Sequence, residues 1–379
     1  MTLPPPVTRR SLLRGGLALG ATAGLAKATS GCAYFPSEIP ATVKLPKSAK
    51  AEIDGDLIYF NWADYLDPSV FKGFQREYGV KVIQSNFDSM EGMVAKLNAG
   101  NKYDIIFPGA KWVLMLRQQG KLMRIEPDEL ENADQVFGFD SYFEDPWYDE
   151  GSAVSLPFTV YKTGIGWRTD KVDTMTGSWR DLWNEQASGR IYTLDNQDEA
   201  IAVGALMLDL DPNTADPDDL EQIKDLLISQ KPYLRAYSAD DIKNMETGDA
   251  WVHHMWSGDF LFFYLYRADD KADFAFESPS EGAPINSDAY AIPANAEHPG
   301  TAMVFIDYLM RPENVVKNVN YLGYPFPVRD GADAFKALAK EVPACNVDVG
   351  ELENPTVFEL LPPADVQARS AMWTEVKAG

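Results

Sequence analysis

Apolar runs at 57–60, 80–83 and 103–107 are separated by segments of helical periodicity, and this alternation constrains the fold more than any other feature. Short continuous apolar runs read as strands buried on both faces, and the amphipathic segments between them read as covering helices, so a parallel α/β arrangement is expected. Asp67-Pro68 opens the first helix with a capping acceptor and a proline at the first helical position, and Val70, Phe71 and Phe74 follow on one face. Asp88 or Ser89 caps the second helix, since Glu91 follows Asp88 by three residues. Met93 and Leu97, four apart, form its core stripe together with Met90.

The same theme continues downstream. Strands are expected at 160–167, 191–194, 250–256 and 288–293, and helices at 179–183, 198–210, 217–229 and 301–309. Segments 155–166 and 284–293 combine extended character with Pro or Gly where the pattern restarts, and read as crossings between two domains. The expected division is 54–159 plus 289–328 for the first domain and 160–288 plus 329–379 for the second.

Residues 1–31 read as an export signal: a charged start, a short Gly/Ala-rich apolar run, and small residues ahead of Cys32. Arg9 and Arg10, in Thr-Arg-Arg-Ser-Leu-Leu, look like a twin-arginine signal, and Cys32 sits where a lipoprotein is acylated. The alternative is a soluble secreted protein cut nearby, with Cys32 incidental. The apolar run, interrupted by Lys27, is shorter than the roughly 20 residues a bilayer span needs. Residues 32–53, rich in Pro, Ala, Ser and Lys, read as a tether. Cys345 is the only other cysteine, so acylation of Cys32 leaves the folded part without a disulfide.

The formal charge of −23 disfavours nucleic acid and anionic membrane surfaces and attracts small cations, although solubility alone also accounts for it. No nucleophile elbow, zinc helix, phosphate loop or dinucleotide fingerprint occurs, so no catalytic residue, metal or cofactor is assigned. His253 and His254 are adjacent on an expected strand and point to opposite faces. The acid-rich run 209–218 lacks calcium-loop spacing and reads as a solvated surface. A secreted glycosidase, with two carboxylates and tryptophan platforms, remains an open alternative.

Trp62, Asp64 and Tyr65 occupy the turn that leaves the first strand, where α/β folds place ligand contacts. From residue 57 onward the chain resembles the bacterial solute-binding proteins for spermidine and putrescine, which serve ABC importers. The resemblance runs through Asp104-Ile105-Ile106-Phe107-Pro108, Trp179-Arg180-Asp181-Leu182-Trp183, Ala291-Ile292-Pro293-Ala294-Asn295-Ala296 and Gly323-Tyr324-Pro325 to the C-terminal Val376-Lys377-Ala378-Gly379.

That resemblance implies a two-domain periplasmic-binding-protein fold of type II, with a ligand cleft between domains joined by crossover strands. It further implies a monomer that takes a small cationic amine to an ABC permease in the cytoplasmic membrane, where an acylated Cys32 would anchor it. The place of work is the periplasm or the outer face of that membrane. By the same resemblance Trp62, Asp64 and Tyr65 are first-domain contacts, Glu199 a carboxylate of the second, Ser238 and Trp256 a hydroxyl and a central aromatic, Asp288 a second amine-binding acid, and Glu359 a polar C-terminal contact. Asn196 is a further candidate, standing where an aspartate is common.

Asn286 replaces a common aromatic, and Gly109 and Lys111 replace a hydroxyl and an aromatic. Trp112 is a candidate replacement ring. Lys111 is open to several roles: repelling a polycation in the cleft, pointing to solvent, pairing with Asp64, or holding the carboxylate of an amino-carboxylate such as 4-aminobutyrate.

Overall fold

The computed structural model describes residues 43–136, 141–347 and 356–379; Arg9, Arg10 and Cys32 lie outside them. The opening block alternates as expected: β1 (Leu57–Asn61), α1 (Pro68–Tyr78), β2 (Val82–Asn86), α2 (Met90–Asn98), β3 (Ile105–Ile106) and α3 (Ala110–Gln118). Asp67 caps α1 by accepting from the Ser69 amide at 2.7 Å, and Gly79 ends the helix at a φ of 70°. Ser89, rather than Asp88, caps α2 by accepting from the Gly92 amide at 3.1 Å.

The chain continues through α4 (Ser141–Glu144), β4 (Ser155–Arg168), β5 (Ile191–Thr193), α5 (Gln197–Met207), α6 (Pro217–Ser229), β6 (Leu234–Tyr237) and α7 (Asp241–Glu246). Then follow β7 (Val252–Trp256), α8 (Ser257–Tyr266), β8 (Phe274–Glu277), β9 (Ile285–Ala291), α9 (Pro299–Leu309), α10 (Pro312–Leu322), α11 (Arg329–Leu338) and a C-terminal α12 (Pro363–Ala378). Among the described residues no helix is long and apolar enough to cross a membrane.

The strand order is β2-β1-β3-β9-β4-β7-β5-β6, with β8 also on β4. The strand expected at 160–167 is longer than its apolar run suggests: β4 has 14 residues, about 46 Å at a strand rise of 3.3 Å. Its first part pairs antiparallel with β9, and its second part, from Thr163, pairs antiparallel with β7 and β8. β4 is therefore the shared member of two strand groups, one built on β1, β2 and β3 and the other on β5, β6 and β7.

Both faces of β1 are covered, which explains its unbroken apolar run. Leu57 and Tyr59 pack with Phe71 and Phe74 of α1 and Phe305 of α9, while Phe60 packs with Met93, Val94 and Leu97 of α2. Phe74 and Phe305 meet edge to face at 4.8 Å. Burial of each such ring contributes about 1.5–3 kcal/mol, so the first crossovers hold the turn after β1 firmly in place.

Candidate functional site

The site grows from the pairing of β4 with β9. Thr159, Tyr161 and Thr163 are two apart on β4 and so share one face. Thr159 lies opposite Asp288 and Tyr161 opposite Asn286 on β9, while Thr163 lies opposite Trp256 at the end of β7. Directly opposed residues project to the same side of a sheet, so these six side chains form a floor spanning both strand groups.

Asp288 is buried in this floor. It accepts the Tyr65 hydroxyl at 2.9 Å and the Tyr161 hydroxyl at 3.4 Å, and the Tyr65 hydroxyl also lies 3.1 Å from Thr159 Oγ1. Burial pushes the Asp288 carboxyl up to about 7, against the two tyrosine hydrogen bonds that favour its anion.

Glu199 enters from the first turn of α5 and is also buried. It accepts Thr163 Oγ1 and Asn286 Nδ2, each at 2.9 Å. Burial pushes it up to about 8. His254 Nε2 lies 3.9 Å from its carboxylate, and burial lowers that imidazole to about 3, so it brings no cation. His253 stacks on Tyr192 instead, as opposite faces of β7 require.

A second carboxyl group stands behind a tyrosine. Tyr324 donates to Asp259 Oδ1 at 2.6 Å, and its ring centroid is 5.5 Å from Tyr161 and 5.9 Å from Tyr65. Asp259, in the first turn of α8, shares a hydrogen bond with Asp241 at the start of α7. Burial raises both, and the charge of Asp259 raises Asp241 further. The Trp256 amide donates to Asp241 Oδ2 at 3.4 Å, which ties the pair to the floor.

This packing depends on Gly258. A β-carbon there would lie 2.4 Å from the Tyr324 ring.

Lys111, in the first turn of α3, forms an ion pair with Asp198 of α5, not with Asp64. The other Asp198 oxygen lies 3.5 Å from Nη2 of the buried Arg369 on α12. Burial would raise Asp198, but Lys111 and Arg369 outweigh it and hold the carboxyl below its usual range. Lys111 Nζ also lies 5.6 Å from the Trp112 ring and 5.9 Å from the Phe358 ring.

The expected residues thus divide. Tyr65, Glu199, Trp256, Asn286 and Asp288 converge. Trp62 is half-buried edge-on against Phe87 at 4.6 Å, and with Asp64 and Tyr65 it lines an adjoining cavity of about 280 Å³ alongside Lys72, Gln84 and Asn86. Asp64 is exposed and left-handed at a φ of 53°.

Asn196 and Ser238 commit their side chains to local hydrogen bonds. Asn196 caps α5, accepting the amides of Asp198 at 3.0 Å and Glu199 at 3.2 Å. Ser238 Oγ accepts the Asp240 amide at 3.1 Å and Asn244 Nδ2 at 3.0 Å. Glu359 is exposed, its amide donating to Asn213 Oδ1 at 3.0 Å, and it is the neighbouring Phe358 that faces Lys111.

Tyr161, Thr159, Thr163, Tyr324, Asp241 and Asp259 were not among the site residues expected from sequence. Thr159, Tyr161 and Thr163, recurring every second position in the 155–166 segment, are the signal that finds three of them.

Known proteins resemble this chain over most of its length. A family model described as bacterial extracellular solute-binding protein matches residues 69–344. The spermidine/putrescine-binding periplasmic protein of Escherichia coli K12 is 30% identical over 300 residues, covering 78% of this chain and 83% of that one. A putrescine/agmatine-binding protein of Pseudomonas aeruginosa is 27% identical over 338 residues, covering 84% and 91%. The solved spermidine/putrescine ABC transporter substrate-binding protein of Streptococcus pneumoniae superposes with a TM-score of 0.73 at 25% identity, covering 86% of this chain and 99% of that one.

The fold is therefore that of the periplasmic binding proteins, with β4 and β9 in the place of the crossover strands. Match and architecture agree: the chain belongs to the bacterial extracellular solute-binding protein family.

Proposed function

We propose that this protein is the substrate-binding component of an ABC importer and captures a polyamine of the spermidine and putrescine class. The observation that carries the reading is a set of carboxyls, the buried Glu199, Asp241 and Asp288 with the half-buried Asp259, with which no lysine or arginine of the described residues forms an ion pair. Buried carboxyls without a cation are costly, and protonated amines would supply the missing charge. Tyr65, Tyr161, Tyr324 and Trp256 offer ring faces worth about 0.5–2 kcal/mol per cation and apolar surface for the methylenes between the charges.

In this reading the two strand groups belong to two domains, 54–159 plus 289–328 and 160–288 plus 329–379. Ligand contacts made by both shift the population toward a closed form that the permease recognises. Residues 1–31 direct export by the twin-arginine route, and Cys32 carries the lipid that keeps the protein at the membrane as a monomer. Mass spectrometry of the mature protein should find an acylated Cys32 as its first residue; an unmodified N-terminus elsewhere refutes the anchor.

Calorimetry with spermidine, putrescine, basic amino acids and 4-aminobutyrate tests the ligand class. A Kd below about 100 μM, roughly −5.5 kcal/mol, is expected for at least one polyamine. Failure of every amine to reach it removes the basis of the proposal.

A further inference from the structure

Of the carboxyls gathered around the β4–β9 floor, Asp198 alone is paired with cations among the described residues. Lys111 reaches it from α3, on the β3 side, and Arg369 supports it from α12. Asp198 is adjacent to Glu199, whose carboxylate is bonded to Asn286 on β9, so the Lys111 ammonium stands at the Glu199 end of the row of acids. Two residues further along β9, about 7 Å at the strand rise, lies Asp288.

From this juxtaposition we infer that Lys111 occupies the place of one terminal ammonium of a long polyamine, so that the site favours a diamine over a triamine. The inference rests on the polyamine reading above and narrows it. A diamine can place its charges along the Glu199–Asp288 row and stop short of Lys111. A triamine brings a third ammonium to a row where one end is already held by a fixed cation. Withdrawal of Lys111 is opposed by its pairing with Asp198 and by the Trp112 and Phe358 rings beside it, which favour a cation at that point.

The test is the ratio of spermidine to putrescine affinity, measured by calorimetry at about pH 8 on the full folded protein. The parent should bind putrescine more tightly. In Lys111→Met the ratio should move toward spermidine by at least about tenfold, while Lys111→Arg, which keeps the cation, should retain the parental order. Melting temperatures of both variants establish that they are folded. Binding of both amines with a ratio unchanged by Lys111→Met, or a parent that prefers spermidine, overturns the inference while leaving the polyamine reading standing. A folded parent that binds neither amine overturns both.

Discussion

Lowering the pH from about 8 to about 6 should weaken amine binding steeply, because it protonates the carboxyls the amine needs. The amine itself stays charged throughout, since an alkyl ammonium titrates near ~10.4. In the ligand-free protein Glu199 and Asp288 are raised to about 8 and about 7, chiefly by burial. An ammonium held against either carboxylate lowers its pKa, so the complex carries fewer protons than the free protein. Affinity must then rise with pH and level off above the free-state values.

Between these two pH values ionised Glu199 falls from about one half to about 1%, roughly fiftyfold, and ionised Asp288 falls about tenfold. A ligand engaging both should lose up to about five-hundredfold, roughly 3.7 kcal/mol. Calorimetry near pH 7 in two buffers of different ionisation enthalpy should also detect release of roughly one to two protons per amine bound. Affinity that is flat from about pH 6 to 8, with no proton release, would refute the claim that these buried carboxyls receive the ammonium groups.

Three further outcomes follow from the geometry. Asp288→Asn keeps an acceptor for Tyr65 but removes the charge; it should leave the fold intact and weaken a diamine by ~1.5–3 kcal/mol in calorimetry, and undiminished affinity would place the amine elsewhere. Gly258→Ala puts a β-carbon 2.4 Å from the Tyr324 ring; it should cost about 1–3 kcal/mol in urea unfolding and weaken binding by displacing Tyr324, whereas parental behaviour in both assays would contradict the close packing. Arg369→Met removes donors to the Pro212 carbonyl at 2.9 Å and the Thr214 carbonyl at 2.8 Å and a partner of Asp198; a loss of about 2–4 kcal/mol in urea unfolding is expected, and no loss would mean that α12 docks without it.

The parts of the fold that were legible in the sequence are those where one face or one cap dictates a pattern. The helix from Asp67-Pro68 and the Met93–Leu97 stripe stand where periodicity places them, because each buries a single face. β4 was underestimated at its start, because Pro157 and the register shift between Pro157 and Thr159 interrupt the strand pattern over the stretch that pairs with β9. β2 ends beyond its apolar run because it is an edge strand with Ile83 half-exposed.

The floor itself combines residues distant in sequence, and only the register of β4 on β9 brings Thr159 beside Asp288 and Tyr161 beside Asn286. Glu199 and Asp288 were found through family resemblance. Asp241 and Asp259 were not, since two separate helix starts give no sign that their carboxyls meet. Asn196 shows the converse: a polar residue that the resemblance counts among the ligand contacts, whose oxygen is committed to capping α5.

The most direct test is a crystal structure of the protein grown with putrescine. The account predicts an ammonium nitrogen within about 2.7–3.2 Å of the Asp288 carboxylate, between the Tyr65 and Tyr161 hydroxyls. Putrescine lodged instead in the cavity beside Trp62 and Lys72, with the Asp288 floor empty, would contradict it.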